Sequence, residues 1–266
     1  MLRLEGVSYR YPGAGYETLH AIDLELRAGT VTGLAGAAEA GKSTLCLVAG
    51  GLAPRVTGGR LNGDITIDGR DVSAWPMHQL AEHVVTGLQD PGGQLSLIAE
   101  TVFGEVAFGP ANLGLSAGEV VSRTDRALRV VGIDGLRERD PAHLSGGQQQ
   151  LVVLAGLLAM QPRYLVLDEP VAHLDPGWAT LVLEAVRAIA AAGTAVLMAE
   201  QRAAAWAVCD TIAVLGHGNI VTAGSPPETF ANPTIGSLGI EEPAEVRLRR
   251  RLAQAGLEPS LLGGDA

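Results

Sequence analysis

Lysine is almost absent from this chain. Of the 19 basic residues among 266, only Lys42 is a lysine and the others are arginine. Cysteine is nearly as scarce. Cys46 and Cys209 stand far apart, which excludes a disulfide framework or a paired metal-ligand set and fits a reducing, cytoplasmic setting. Long apolar runs are missing too: the longest near the middle, LVVLAGLLAM (Leu151–Met160), is about half of what a bilayer crossing needs, so no transmembrane segment is expected. The opening MLRLEGVSYRYPG alternates like a strand and has no apolar signal core, which predicts a protein that is not exported. There is no excess of positive charge either. A net charge of −10 speaks against a dedicated nucleic-acid binder, which would carry a basic face. The one basic cluster, RLRRR at Arg247–Arg251, follows EEPAE in a helical stretch and reads as a solvated helix face. What is present suffices for a substantial core: 47% of the residues are apolar, much of that alanine, with aromatics at 4%.

The solitary lysine lies in GAAEAGKST (Gly36–Thr44), which satisfies G-x-x-x-x-G-K-[ST] with Gly36, Gly41, Lys42 and Ser43 in place. Lysine is a compact point charge on a thin stem, whereas arginine is planar and forked; a position that keeps lysine in an arginine-using chain calls for the slimmer shape. The flanks agree. TVTGLAG (Thr30–Gly36) reads as a buried strand, and KSTLCLVAGGL (Lys42–Leu52) reads as a helix that stops at a glycine pair. Strand, glycine loop and helix N-terminus together aim backbone N–H groups at a phosphate. Lys42 would reach the β- and γ-phosphates of a nucleotide, and Ser43 would hold Mg²⁺. Glu39 places a carboxylate in this loop, where it repels a nucleotide unless it turns to solvent.

YLVLDEP (Tyr164–Pro170) is an apolar strand ending in two acids. A nucleotide enzyme needs one carboxylate at a strand tip for Mg²⁺ and one beside the attacking water; Asp168 fits the first role and Glu169 the second. HLSGGQQQ (His143–Gln150) is more specific. Ser145 can cap the helix that runs on through LVVLAGLLAM, and Gly146 and Gly147 leave its first N–H groups open to an anion. Asp175, in AHLDP, follows the acid pair at short range.

With LSGGQ just upstream of a strand ending in DE, and a phosphate loop roughly a hundred residues earlier, the sequence resembles the ATP-binding cassette (ABC) ATPases from about Leu2 to Phe230. The resemblance implies an α/β P-loop NTPase fold: a RecA-like core, an antiparallel β-subdomain and an α-helical subdomain at about 91–160, in a nucleotide-binding domain spanning 1–230. It implies ATP held by Gly36, Ala37, Ala38, Glu39, Ala40, Gly41, Lys42, Ser43 and Thr44, with Tyr11 stacked on the adenine. Ser43, Gln89 and Asp168 would hold Mg²⁺, and Glu169, Gln89 and Gln201 would serve catalysis, Gln89 also sensing a membrane partner. Two such subunits sandwich two ATP molecules head to tail. Leu144, Ser145, Gly146, Gly147 and Gln148 would therefore serve a neighbour's nucleotide, with Asp175 in the D-loop.

The stretch DPGGQLSLIAETVFGEVAFGPANLGL (Asp90–Leu115) is similar to the helical subdomain of energy-coupling-factor (ECF) ATPases, and GGLAPRVTGGRLNGDITIDGRDV (Gly50–Val72) also resembles that group. Such ATPases sit at the cytoplasmic face of prokaryotic membranes and power uptake of vitamins, vitamin precursors or transition metals. Their partners are a second ATPase, a transmembrane coupling protein and a small substrate-binding membrane protein. Homodimer and heterodimer both stay open, the heterodimer preferred. Two positions depart from the pattern. EQR (Glu200–Arg202) puts Gln201 where the family has a switch histidine, and Leu151 stands where an arginine commonly follows the signature. A neutral amide can donate a hydrogen bond but cannot carry an imidazole's charge. With Glu39, these departures predict slow hydrolysis at this chain's own site. They also keep open a non-hydrolysing subunit that lends its LSGGQ to an active partner. A soluble ABC protein of DNA repair or translation would carry long coiled-coil insertions or tandem cassettes, and neither is visible. The tail, 231–266, contains one helical stretch, PAEVRLRRRLAQAG, and reads either as a dimer-pairing extension or as a loosely attached tail. The histidines lack metal-ligand spacing.

Overall fold

The structure is a computed structural model that describes residues 1–172, 174–232 and 235–254. The chain opens with two strands, β1 (Leu2–Arg10) and β2 (Leu19–Leu26). It then enters a second sheet through β3 (Val31–Gly36), whose tip leads by a glycine loop into α1 (Lys42–Ala49). β4 (Arg60–Ile67) and β5 (Arg70–Asp71) return to the first sheet, followed by α2 (Met77–Ala81) and β6 (Val84–Gly87). Three helices come next: α3 (Val102–Asn112), α4 (Ala117–Val131) and α5 (Gly146–Ala159). Then follow β7 (Tyr164–Asp168), α6 (Pro176–Ala191), β8 (Ala195–Glu200), β9 (Thr211–Gly216), β10 (Asn219–Gly224), α7 (Pro226–Ala231) and α8 (Ala244–Gln254).

The first sheet is antiparallel in the order β2-β1-β4-β5. The second runs β10-β9-β3-β8-β7-β6 and is parallel throughout except for β10. Strands buried on both faces should be continuously apolar, and β3, β7 and β8 are buried at every residue. Their side chains alternate between two cores, as the twofold period of a strand requires. From β7, Leu165 and Leu167 join α5 and α6 on one side. Tyr164 and Val166 join α1 and the antiparallel sheet on the other.

The stretch expected to be helical, about 91–160, forms helices only from Val102 onward. Thr101 caps α3 by accepting from Gly104 N, and Ser116 and Glu119 form a capping box on α4. The irregular segment before α3 is tied down by buried Glu105, which accepts from Ser96 N (2.5 Å), Ser96 Oγ (2.8 Å) and Leu97 N (3.2 Å). In the tail, Ile235 and Ile240 are buried in the main core. On α8, Arg247, Arg249 and Arg251 are exposed, and Arg249 pairs with Glu245 at 2.9 Å. Residues 233, 234 and 255–266 of the expected extension lie outside the described residues.

Candidate active site

In a parallel sheet every strand delivers its C-terminal end to the same edge, where ligands gather. Neighbouring strands β3, β8, β7 and β6 thus bring together the glycine loop, Gln201, the Asp168–Glu169 pair and Gln89. They enclose a cleft of about 380 Å³ lined by Thr18, Ala38, Glu39, Gly41, Lys42, Ser43, Thr44, Gln89, Glu169 and Gln201.

The two glycines that bound the loop have little room for a side chain. A Cβ on Gly36 would lie 2.7 Å from the Leu215 carbonyl oxygen, and Gly41 has φ 103° at the start of α1. Lys42 is only 4% exposed, and its Nζ donates to the carbonyls of Gly36 and Ala37, each at 2.9 Å. Burial lowers its pKa, opposed by the charges of Glu169, at 3.8 Å, and Asp168. Glu39 is exposed at the rim with φ 63°, a conformation sparsely used by residues other than glycine. Tyr11 does not line the cleft. Its ring meets Tyr9 edge-on at 4.9 Å, and its hydroxyl is 3.2 Å from Thr44 Oγ1, beside the loop's last residue.

Asp168 is buried and its pKa is raised, mainly by burial, while the Ser43 hydroxyl bonds to it and Lys42 opposes the shift. Its Oδ1 has no hydrogen-bond partner among the described residues. A buried carboxylate oxygen without a donor, beside a serine hydroxyl, fits a divalent cation that takes its other ligands from water and phosphate. Among the described residues no cluster of three His, Cys, Asp or Glu could hold a metal ion by itself.

Glu169 is held from two directions. Gln201 Nε2 donates to Oε1 at 2.7 Å, and Gln89 Nε2 donates to Oε2 at 3.1 Å. Its backbone has φ 49° and its N–H donates to the Ala199 carbonyl at 2.9 Å, so the carboxylate is fixed at the β7 tip by the neighbouring strand. Glu200, 1% exposed, accepts from Val171 N (2.9 Å), Gln201 N (3.0 Å) and Arg202 N (3.5 Å). Burial raises its pKa against those three bonds.

The signature residues do not line this cleft. Ser145 and Gln148 form a reciprocal capping box at the start of α5, and Gly146 lies in a second cleft that shares Gln89 and Glu169 with the first. The two glycines meet different surroundings. Gly146 has open space around it, but a Cβ on Gly147 would lie 2.5 Å from Cγ of Trp178. Close packing against Trp178 leaves no room for a side chain at the second glycine. Asp175 caps α6 by accepting from Gly177 N (3.0 Å) and Trp178 N (3.1 Å), with Pro176 at the first helical position. Leu151 is buried in the main core.

Sequence reasoning missed Thr18, Glu200, Arg202 and Trp178. Glu200 could have been found, since TAVLMAE repeats the strand-then-acid pattern of YLVLDE. Thr18 carries no local signal, and the other two act through contacts with distant segments.

A family model described as ABC transporter matches residues 19–172. The energy-coupling factor transporter ATP-binding protein EcfA of Methanosarcina acetivorans is 34% identical over 258 residues, covering 97% of this chain and 91% of that protein. A putative ABC transporter ATP-binding protein of Pyrococcus horikoshii is 34% identical over 260 residues, with the same coverage of 97% and 91%. Other relatives are longer: the chain spans 41% of a second M. acetivorans protein, a putative ABC transporter ATP-binding protein, to which it is 36% identical. Among solved structures, CbiO1 from Clostridium perfringens, described as part of the ABC transporter complex CbiONQ, matches with TM-score 0.79 and 29% identity over 96% of each chain.

Proposed function

This chain belongs to the ABC transporter ATP-binding family, and from that premise we propose that it is the ATP-hydrolysing subunit of an ECF-type importer. The observation that carries the reading is Glu169, gripped by two amides within 3.8 Å of a buried lysine at the mouth of a phosphate loop. In this reading the loop residues Gly36–Thr44 hold the phosphates of ATP, with Lys42 exchanging its loop carbonyls for β- and γ-phosphate oxygens. Tyr11 meets the adenine. Ser43, Asp168 and Gln89 hold Mg²⁺, which when bound neutralises phosphate charge. Glu169 takes the proton of the water that attacks the γ-phosphorus, while the β–γ bridging oxygen leaves with ADP. Gln89 and Gln201 hold the carboxylate toward that water. A neutral amide at Gln201 makes this chain's own site slow.

The position of Ser145–Gln148 outside the P-loop cleft supports a second subunit whose ATP they face, with Asp175 at the same boundary. The ECF assignment is supported by the names EcfA and CbiO1 among the relatives and by the VAFGP stretch. On that reading the cargo is a vitamin, a vitamin precursor or a transition metal. We take 1–230 as the nucleotide-binding domain, with 91–160 its helical part, and 231–266 as an extension. Among the described residues no helix is long and apolar enough to cross a membrane. We place the chain at the cytoplasmic face, joined to transmembrane partners.

The test is affinity purification from a native-like host, followed by ATPase assays on the recovered complex. Polytopic membrane proteins should co-purify, and Glu169→Gln should lower turnover by about 10²- to 10⁴-fold while ATP still binds. Undiminished turnover in that variant would remove Glu169 as the base, and recovery without any membrane protein would remove the importer.

A further inference from the structure

Glu200, Gln201 and Arg202 follow one another off the tip of β8 and face two ways. Gln201 turns its amide to Glu169. The residues on either side of it turn instead to the segment after Glu169. Glu200 accepts from Val171 N at 2.9 Å. Arg202 donates from Nη1 to the Leu174 carbonyl and from Nη2 to the Ala172 carbonyl, both at 2.8 Å. Nothing in the catalytic scheme uses Arg202.

We propose that Arg202 is a positioning residue for ATP hydrolysis, acting through Gln201 and joining this chain's own site to the surface it offers a second subunit. The proposal rests on the ATPase reading of the site. A guanidinium placed on two carbonyls of one turn fixes a plane as well as a distance, which a single ammonium cannot do. The side chain of Gln201 is exposed, so its amide stays on Glu169 only where the backbone beneath it is held. Arg202, one peptide away, supplies that hold together with Glu200. The same two bonds continue outward. The turn they grip leads into Asp175, which caps α6, and Trp178 of α6 occupies the space beside Gly147 of the signature. Arg202 therefore links the β8 tip to the start of α5 through a short series of packed, hydrogen-bonded groups.

The test is a double-mutant cycle on the full-length chain with its partners, reading kcat, KM for ATP, nucleotide affinity and thermal midpoint. Arg202→Ala is expected to lower kcat by several-fold to about tenfold, no more than Gln201→Ala does, with KM within about twofold. Arg202→Lys should recover little of that loss, since it restores the charge without the fork. Because Arg202 works through Gln201, the Gln201→Ala/Arg202→Ala double variant should be no slower than the slower single. If Arg202→Ala does not fold, the cycle is run with Arg202→Lys. A kcat for the single variant near wild type, full rescue by lysine, or losses that multiply in the double variant would each overturn the proposal. A wild-type complex that turns over no ATP would instead overturn the ATPase reading beneath it.

Discussion

Replacing Gln201 by alanine isolates one of the two donors on Glu169. The amide at 2.7 Å disappears, while Gln89 at 3.1 Å on the other carboxylate oxygen stays. A hydrogen bond to a charged group is worth about 1.5–3 kcal/mol, and each 1.36 kcal/mol changes a rate tenfold, giving a loss of about 10- to 150-fold in kcat. Glu169 is 14% exposed and Gln201 is open to solvent, so water takes over part of the lost contact and the lower end of that range applies. ATP affinity should change little, because Lys42 and the loop amides are untouched. Gln201→His should act in the other direction. An imidazole able to carry charge in the transition state is worth about 2–4 kcal/mol more than a weak neutral contact, or roughly thirty- to a thousand-fold in rate. Steady-state phosphate release by the wild type and both variants, with nucleotide affinity measured in parallel, decides the matter. If Gln201→Ala keeps its turnover within a factor of about two and Gln201→His changes nothing, the amide neither orients the base nor limits the site.

Two further outcomes follow from packing. Gly147→Ala drives a methyl into the Trp178 ring and should lower the thermal midpoint, at a cost of about 1–3 kcal/mol, whereas Gly146→Ala meets open space and should leave it unchanged or higher; equal midpoints would refute the packing explanation. Both cysteines are buried, and burial raises both thiols, Cys209 to about 12. At pH 8 the Cys209 thiolate is then present at roughly one part in ten thousand, so a thiol-specific chromogenic reagent should find two groups in guanidinium and none in the native protein over minutes. Rapid labelling of the folded chain would show that one of them is accessible.

The parts of the site that sequence alone made legible are those where local chemistry leaves few choices. A strand, a short loop bounded by two glycines, and then a helix opening on Lys-Ser can hardly be anything but Val31–Gly36, the turn and α1. An entirely apolar run ending in Asp168 and Glu169 signals a buried strand with its acids gathered at one tip. What stayed hidden depends on which strands become neighbours. Arg202 finds the carbonyls of Ala172 and Leu174 because β8 pairs with β7, a fact no local pattern encodes. The reason for Gly147 lies in Trp178, a ring on another helix. Likewise Gln201 could be recognised as unusual, but its bond to Glu169 depends on the same strand pairing.

The burial of the one lysine has a consequence for chemistry done on this protein from outside. No other side-chain amine exists in the sequence, and this one is 4% exposed. Reagents that acylate amines in water meet a surface of guanidinium groups, and apart from the chain's α-amine their one target lies inside the cleft at the strand tips. On the function proposed above, an acyl group on Lys42 removes the charge that the phosphates require. Labelling of the side chain and inactivation therefore become the same event, and the stoichiometry of the label counts blocked sites directly. Cellular enzymes that mark proteins through lysine face the same constraint: on this chain they have no silent position to write on.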